Sequence, residues 1–168
     1  MCKFRDLRAN EIDVRVGMCT EKGCVLLLYK DARCDMNILD ETVGTLNWQR
    51  MHTRDNANCI VSIWDDVKKE WICKEDTGTE SMSEKEKGQA SDSFKRACVN
   101  WGIGRELYTS PFIWVPATKT EIVNRGNGKF TTRDKFFVEG IKIVNKCITA
   151  IAIKNSKDIR VFEWRATT

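Results

Sequence analysis

Hydrophobic and polar positions alternate from the start of the chain. Ile12, Val14 and Val16 are interleaved with Asp13, Arg15 and Gly17, the period of two that lays one face of a strand on a core. A turn at Glu21-Lys22-Gly23 leads into Cys24-Val25-Leu26-Leu27-Leu28-Tyr29, a second strand, so the two are expected to form a hairpin or a β-arch. Over residues 31–43 the period changes: Ala32, Met36, Leu39 and Val43 are spaced by four, three and four, which predicts a short helix. A strand is expected around Trp48, over residues 47–52. Residues 59–64 and 70–74, rich in β-branched and aromatic side chains, flank the polar turn Asp65-Asp66-Val67-Lys68-Lys69 and predict an antiparallel hairpin. With the strand at Trp48 it makes a three-stranded sheet.

The next stretch organises the rest. Ser83 and Glu86 form an S-x-x-E capping box, in which each side chain satisfies the other residue's free N–H at a helix start. Ala90, Phe94, Ala97, Cys98 and Trp101 then fall on one helical face, and Gly102 and Gly104 end the helix by tolerating a left-handed turn. Away from Phe94 and Trp101 sit Lys95 and Arg96, adjacent cations expected late in the helix, where the macrodipole favours positive charge. The apolar face is expected to pack on the three-stranded sheet. Beyond Pro116, Asn127-Gly128 marks a tight turn, and residues 135–144, 147–153 and 159–164 read as a three-stranded meander. The expected class is α+β: an antiparallel β-β-β-α core, a curved sheet on one long helix, with an additional C-terminal β-meander.

Glu75-Asp76-Thr77-Gly78, a spacer, Glu86-Lys87-Gly88-Gln89-Ala90-Ser91-Asp92-Ser93-Phe94-Lys95-Arg96-Ala97 and Trp101-Gly102 together resemble the Rad-fifty-two superfamily of single-strand annealing proteins. There an acidic strand end of the form Asp-x-Gly precedes a helix carrying a small residue, Asp, an apolar residue, Lys-Arg-Ala, an aromatic and a glycine. The segment through Tyr108-Thr109-Ser110-Pro111-Phe112-Ile113-Trp114 is most similar to the phage and prophage, Sak-like, branch. The resemblance is dense from Trp48 to Trp114 and fades on both sides.

The resemblance implies ATP-independent annealing without bond chemistry, with no catalytic residue, cofactor or metal. It implies that Lys95 and Arg96 line a groove holding single-stranded DNA by its backbone. A further basic residue of the eukaryotic members has no counterpart, because Val99 and Asn100 occupy that region; either Arg105 supplies the charge or the groove binds more weakly. Arg33 aligns loosely with another basic residue of the family. The implied partners are single-stranded DNA, further copies of the chain in a ring or arc, and a single-strand-binding protein or exonuclease, with no membrane. Residues 1–168 would form one annealing-type domain, with a core over 1–116 and a basic, β-rich extension over 117–168. The rival readings are a protein-interaction or DNA-end-protecting module of the same fold, and a nuclease.

Composition changes the picture little. A chain of 168 residues, 42% hydrophobic and 31% charged, reads as one soluble domain able to bury a core. No run approaches the ~18 apolar residues that a membrane span needs, and Met1-Cys2-Lys3-Phe4-Arg5-Asp6 has no apolar leader, so the expected location is the cytoplasm, which the phage resemblance implies is that of a bacterial host. Eight cysteines without a C-x-x-C pair, and His52 as the single histidine, argue against zinc and against a disulfide framework, leaving reduced thiols as the expectation. Residues 1–80 carry 12 basic and 15 acidic side chains, residues 81–168 carry 16 and 9. A basic excess confined to one half suits a polyanionic partner on that half. Gly126-Asn127-Gly128-Lys129-Phe130 lacks the spacing and the Ser or Thr of a P-loop. Gly102-Ile103-Gly104 ends a helix, whereas a dinucleotide fingerprint opens one. Asp65, Asp66, Asp76 and Glu80 are expected in a turn and at a helix cap, not around a metal.

Overall fold

The computed structural model describes residues 3–79 and 85–167, the side chains of 85–87 excepted. Cys2, Glu80 and the capping box of Ser83 with Glu86 lie outside the described residues. In chain order the elements are β1 (Asp13–Thr20), β2 (Gly23–Tyr29), α1 (Ala32–Val43), β3 (Trp48–Thr53), β4 (Asn58–Asp65), β5 (Glu70–Thr77) and α2 (Lys85–Asn100). Then come a 3-10 turn at Arg105–Thr109, β6 (Ile113–Pro116), β7 (Ile122–Asn124), β8 (Phe130–Thr132), β9 (Phe136–Val144), β10 (Cys147–Asn155) and β11 (Arg160–Arg165). Helices and antiparallel sheets are mixed in one chain, consistent with the α+β class. Among the described residues no helix is long and apolar enough to cross a membrane.

The chain divides into two units that interleave along the sequence: Met1–Asp6 with Asp31–Gly104, and Leu7–Lys30 with Arg105–Thr168. The first unit holds the three-stranded sheet β3-β4-β5, with α2 packed on it and α1 beside α2. Directly paired residues of an antiparallel ladder point to the same side. The register therefore puts Trp48, Arg50 and His52 of β3, Cys59, Val61 and Ile63 of β4, and Ile72, Lys74 and Asp76 of β5 on one face. The centre of that face and the inner side of α2, Phe94, Ala97 and Cys98, are buried together. Asp31 caps α1 by accepting the Arg33 N–H at 2.7 Å. Helix α2 closes with a Schellman turn: Gly102, at φ 95°, donates to Val99 O at 2.9 Å and Ile103 donates to Cys98 O at 3.1 Å.

The second unit is a six-stranded antiparallel sheet in the order β11-β10-β9-β1-β2-β6, with the two-stranded β7-β8 ribbon beside β1. The sheet curls until its edge strands, β11 and β6, approach one another. Leu26, Ile113, Val115, Phe136, Ile151 and Ile153 fill the interior. Glu106 is fully buried and accepts the Leu7 N–H at 2.7 Å, fixing the chain as it enters this unit.

The N-terminal strands form a hairpin, one of the two expected forms, and β1 pairs further with β9 and β2 with β6, so strands from both ends of the chain build one sheet. β6 covers four residues of the β2 edge, and β9 meets β1 at the Asp13–Phe137 pair. Two expectations are corrected. The cysteines are not all free thiols, because Cys19 and Cys24 form a disulfide with an S–S distance of 1.99 Å. The two-residue turn of the β1-β2 hairpin sets them directly opposite one another, with Cα atoms 4.1 Å apart. Finally, the last turn of α2 carries no basic residue. The dipole acts mainly within the last turn, so it gives no account of Lys95 and Arg96.

Candidate nucleic-acid interface

The Asp-x-Gly strand end is a latch between β5 and α2. Asp76 points to the helix side, where its carboxylate accepts Asn100 Nδ2 at 3.2 Å and pairs with Arg96 Nε at 3.4 Å. Asn100 Nδ2 also reaches Glu75 O at 3.0 Å, joining the end of the helix to the strand backbone. Gly78 donates to Ala57 O at 2.7 Å, and its Cα comes so close to α2 that a Cβ would lie 2.3 Å from Ser93 N and 2.7 Å from Gln89 O. Asp92 then accepts the Thr79 N–H at 2.9 Å. The acidic, glycine and small-residue positions that carry the sequence resemblance thus serve a structural purpose, drawing a strand end onto a helix.

On this scaffold Arg96 is exposed and Lys95 is half-buried. Both stand off the sealed face formed by Phe94, Ala97 and Cys98. Lys95 has no carboxylate partner among the described residues. Arg96 is held by Asp76 in a pair whose side chains stay 44% and 29% exposed, so solvent screens the attraction and a competing phosphate can enter. Arg33 is exposed in the first turn of α1, within the same unit. Arg105 is exposed on the 3-10 turn and belongs to the second unit.

Two cations beside α2 escape a reading of the sequence alone. The Arg50 guanidinium lies 4.8 Å from the centre of the Phe94 ring, and Lys74 Nζ lies 4.5 Å from that of Trp101 while donating to Asn100 O at 2.8 Å. Their signal is in the strand alternation, which puts Arg50 in line with Trp48 and His52, and Lys74 in line with Ile72 and Asp76. Lys74, Asn100, Asp76 and Arg96 therefore form one polar seam along the β5 side of the helix.

His52 faces α2, with Nδ1 3.4 Å from Ser93 Oγ. Burial, and then the nearby Arg50 cation, hold its pKa below the ordinary histidine value. Ser93 is fully buried and its hydroxyl also reaches Asn56 O at 3.1 Å, so this serine and histidine act as a packing contact and do not present a nucleophile. Burial pushes the Cys59 thiol up to about 11. Asp65 accepts the N–H groups of Val67 and Lys68 in the β4-β5 turn, and those bonds, the Lys68 bond foremost, hold its carboxyl below the usual range. Among the described residues no group of three or more His, Cys, Asp or Glu side chains could hold a metal ion.

The face of the three-stranded sheet turned away from α2 is open. Met51 is 57% exposed there, and Trp64 and Trp71 meet edge to face with ring centres 5.6 Å apart. Comparison with protein-family models, with curated proteins and with solved structures finds no match to this chain.

Proposed function

We propose that the chain is an ATP-independent single-strand annealing protein of the Rad-fifty-two type, with β3-β4-β5-α2 as its β-β-β-α core. Lys95 and Arg96 hold the phosphates of a single strand, Arg33 adds a phosphate contact in the same unit, and the bases stay free to pair with a second strand. The observation that carries this reading is the two-sided character of α2. One side is sealed against the sheet by Phe94, Ala97 and Cys98, while off that face stand the half-buried Lys95 and the exposed Arg96, the latter in a solvent-screened pair with Asp76. Binding through phosphates releases counterions, so affinity falls steeply with salt. Copies of the chain assembling into a ring or arc would continue the groove from one protomer to the next.

The test is a mixture of complementary labelled oligonucleotides without nucleotide or divalent metal, with and without the protein. Accelerated pairing is expected, together with an assembly larger than a monomer on a sizing column. Lys95→Ala combined with Arg96→Ala should abolish the acceleration while the protein stays folded, since neither side chain belongs to the buried face. Pairing no faster than in buffer sinks the reading, and cleaved DNA in the presence of divalent metal would replace it with a nuclease.

One observation favours a second reading, the protein-interaction module. The open sheet face with Met51, Trp64 and Trp71 is the kind of apolar patch that marks a protein contact. In that case Met51→Asp with Trp71→Ser abolishes partner capture and leaves DNA affinity unchanged.

A further inference from the structure

The unit that holds Lys95 and Arg96 carries 12 basic and 15 acidic side chains, a balance of −3, whereas the six-stranded unit carries 16 and 9, a balance of +7. Much of the positive charge on the β9-β10-β11 meander is already answered. Arg160 is held by Glu139 at 2.7 Å and by Glu163 at 3.0 Å, Lys154 pairs with Asp158, and Arg165 pairs with Glu163. The β7-β8 ribbon is different. Lys119, Arg125, Lys129, Arg133 and Lys135 are all exposed, and none has a carboxylate partner among the described residues.

Ribbon geometry gathers three of them. The register pairs Ile122 with Thr132, Val123 with Thr131 and Asn124 with Phe130, and the Arg125 N–H bonds to Lys129 O at 2.8 Å, extending the ladder by one pair. Alternation then sends Ile122, Asn124, Phe130 and Thr132 to one side and Val123, Thr131, Arg125 and Lys129 to the other, and the exposed Arg133 follows directly on the ladder's last pair. The first side is anchored: Thr132 Oγ1 meets Thr120 Oγ1 at 3.0 Å, and Thr120 donates to Asp134 at 2.9 Å. Asp134 also accepts the Glu121 N–H and pairs with Lys157, and its side chain is only 7% exposed, turned to these partners and not paired with Arg133 or Lys135. Glu121 and Arg133 flank the last pair of the ladder, and Glu121 forms no ion pair among the described residues.

We propose that the cationic side of the β7-β8 ribbon is a second nucleic-acid contact, gripping a phosphate backbone through Arg125, Lys129 and Arg133. At about 3.3 Å per residue, Lys129 and Arg133 stand about 13 Å apart along the ribbon. That is about four nucleotide rises of a duplex strand, so the cations can answer separate phosphates. A two-stranded ribbon is also narrow enough to enter a major groove. This contact belongs to the other unit from Lys95 and Arg96 and does not rest on the annealing reading.

The experiment uses the full chain with Arg125→Gln, Lys129→Gln and Arg133→Gln together. Anisotropy of one labelled sequence, single-stranded and as duplex, is followed across a salt series. The triple variant should melt with the parent and bind at least about ten-fold more weakly at moderate salt. Its log–log salt slope should shrink by about two to three, one counterion release for each lost cation. Loss in the duplex arm alone assigns the ribbon to a double-helical groove, and loss in both arms assigns it to the backbone in either form. Unchanged affinity and slope in both arms overturns the proposal, as does a parent protein that binds neither form. The Lys95→Ala, Arg96→Ala variant is measured alongside. If it binds like the parent while the ribbon variant does not, the groove reading fails and the ribbon stands; the converse result removes the ribbon alone.

Discussion

Gly78 lies against the backbone of Ser93 so closely that any β-carbon at position 78 would sit 2.3 Å from the Ser93 nitrogen. The obstructing atoms belong to α2 backbone and cannot swing aside as the end of a flexible side chain could. Gly78→Ala is therefore expected to push β5 off the helix and cost about 1–3 kcal/mol, as overpacking does. Urea unfolding checks it: the midpoint should fall with the slope unchanged. Gly128→Ala meets nothing within 4 Å and feels only its backbone angle of 70°, so it should cost less. Equal stabilities for parent and Gly78→Ala would refute the close approach.

Arg96 answers to Asp76 before it can answer to a phosphate. At 3.4 Å, with both side chains partly in solvent, the pair contributes about 0.2–1 kcal/mol. Asp76→Asn keeps the shape and an acceptor for Asn100 while removing the competing charge. Single-stranded DNA should then bind more tightly, by a factor of up to about five, since each 1.4 kcal/mol is tenfold. The gain should vanish when Arg96→Ala is added. Equal or weaker binding by Asp76→Asn would mean that Arg96 serves the latch and not the ligand.

The sequence displays those elements whose burial is periodic. Cys59, Val61 and Ile63 alternate on β4, and Phe94, Ala97 and Cys98 repeat on α2, because each set lies against a single core. Short strands leave no such trace: β7 and β8 have three residues each, too few to establish a period of two. The pairing of β1 with β9 is equally invisible, since Asp13 meets Phe137 through the fold and not through local preference. At the candidate site, Lys95 and Arg96 stand out as an amphipathic edge. The Asp76 partner of Arg96 depends on which flank of α2 rests on β5, a choice made by the Gly78 contact. Arg50 and Lys74 are hidden for a related reason: a cation on a strand's helix-facing side reads as an error until an aromatic ring lies beneath it.

The cysteines give a chemical readout of the fold. Cys34, Cys59 and Cys98 are buried and outside any disulfide, Cys73 and Cys147 are exposed, and Cys19 is bonded to Cys24. Alkylation of native, unreduced protein should mark Cys73 and Cys147 first. Cys59 should react slowly, because burial raises its thiol to about 11 and leaves little thiolate at neutral pH. Peptide mapping should find Cys19 and Cys24 unmodified until a reductant is added under denaturing conditions. A disulfide persists in oxidising surroundings, whereas a cytosol keeps thiols reduced, so quenching with alkylating agent at lysis reads the state held in the cell. Either residue labelled without reductant would show the β1-β2 hairpin to be unbridged.

His52 couples stability to pH in one direction. Its folded pKa lies below the ordinary 6.5, through burial first and Arg50 second, with a bond to the Asn58 backbone acting the other way. The unfolded chain, titrating near its ordinary value, therefore binds the proton more readily than the native protein does. Stability from this group is complete above about pH 6.5 and is lost as the pH falls toward the folded value. Protonation would place a second cation beside Arg50 at the buried Ser93 contact. Chemical unfolding at a series of pH values should show stability dropping on the acid side, and His52→Gln should flatten that part of the profile. A parent protein whose stability rises between pH 6.5 and 5 would reverse the sign and place a carboxylate partner, not Arg50, in control of the ring.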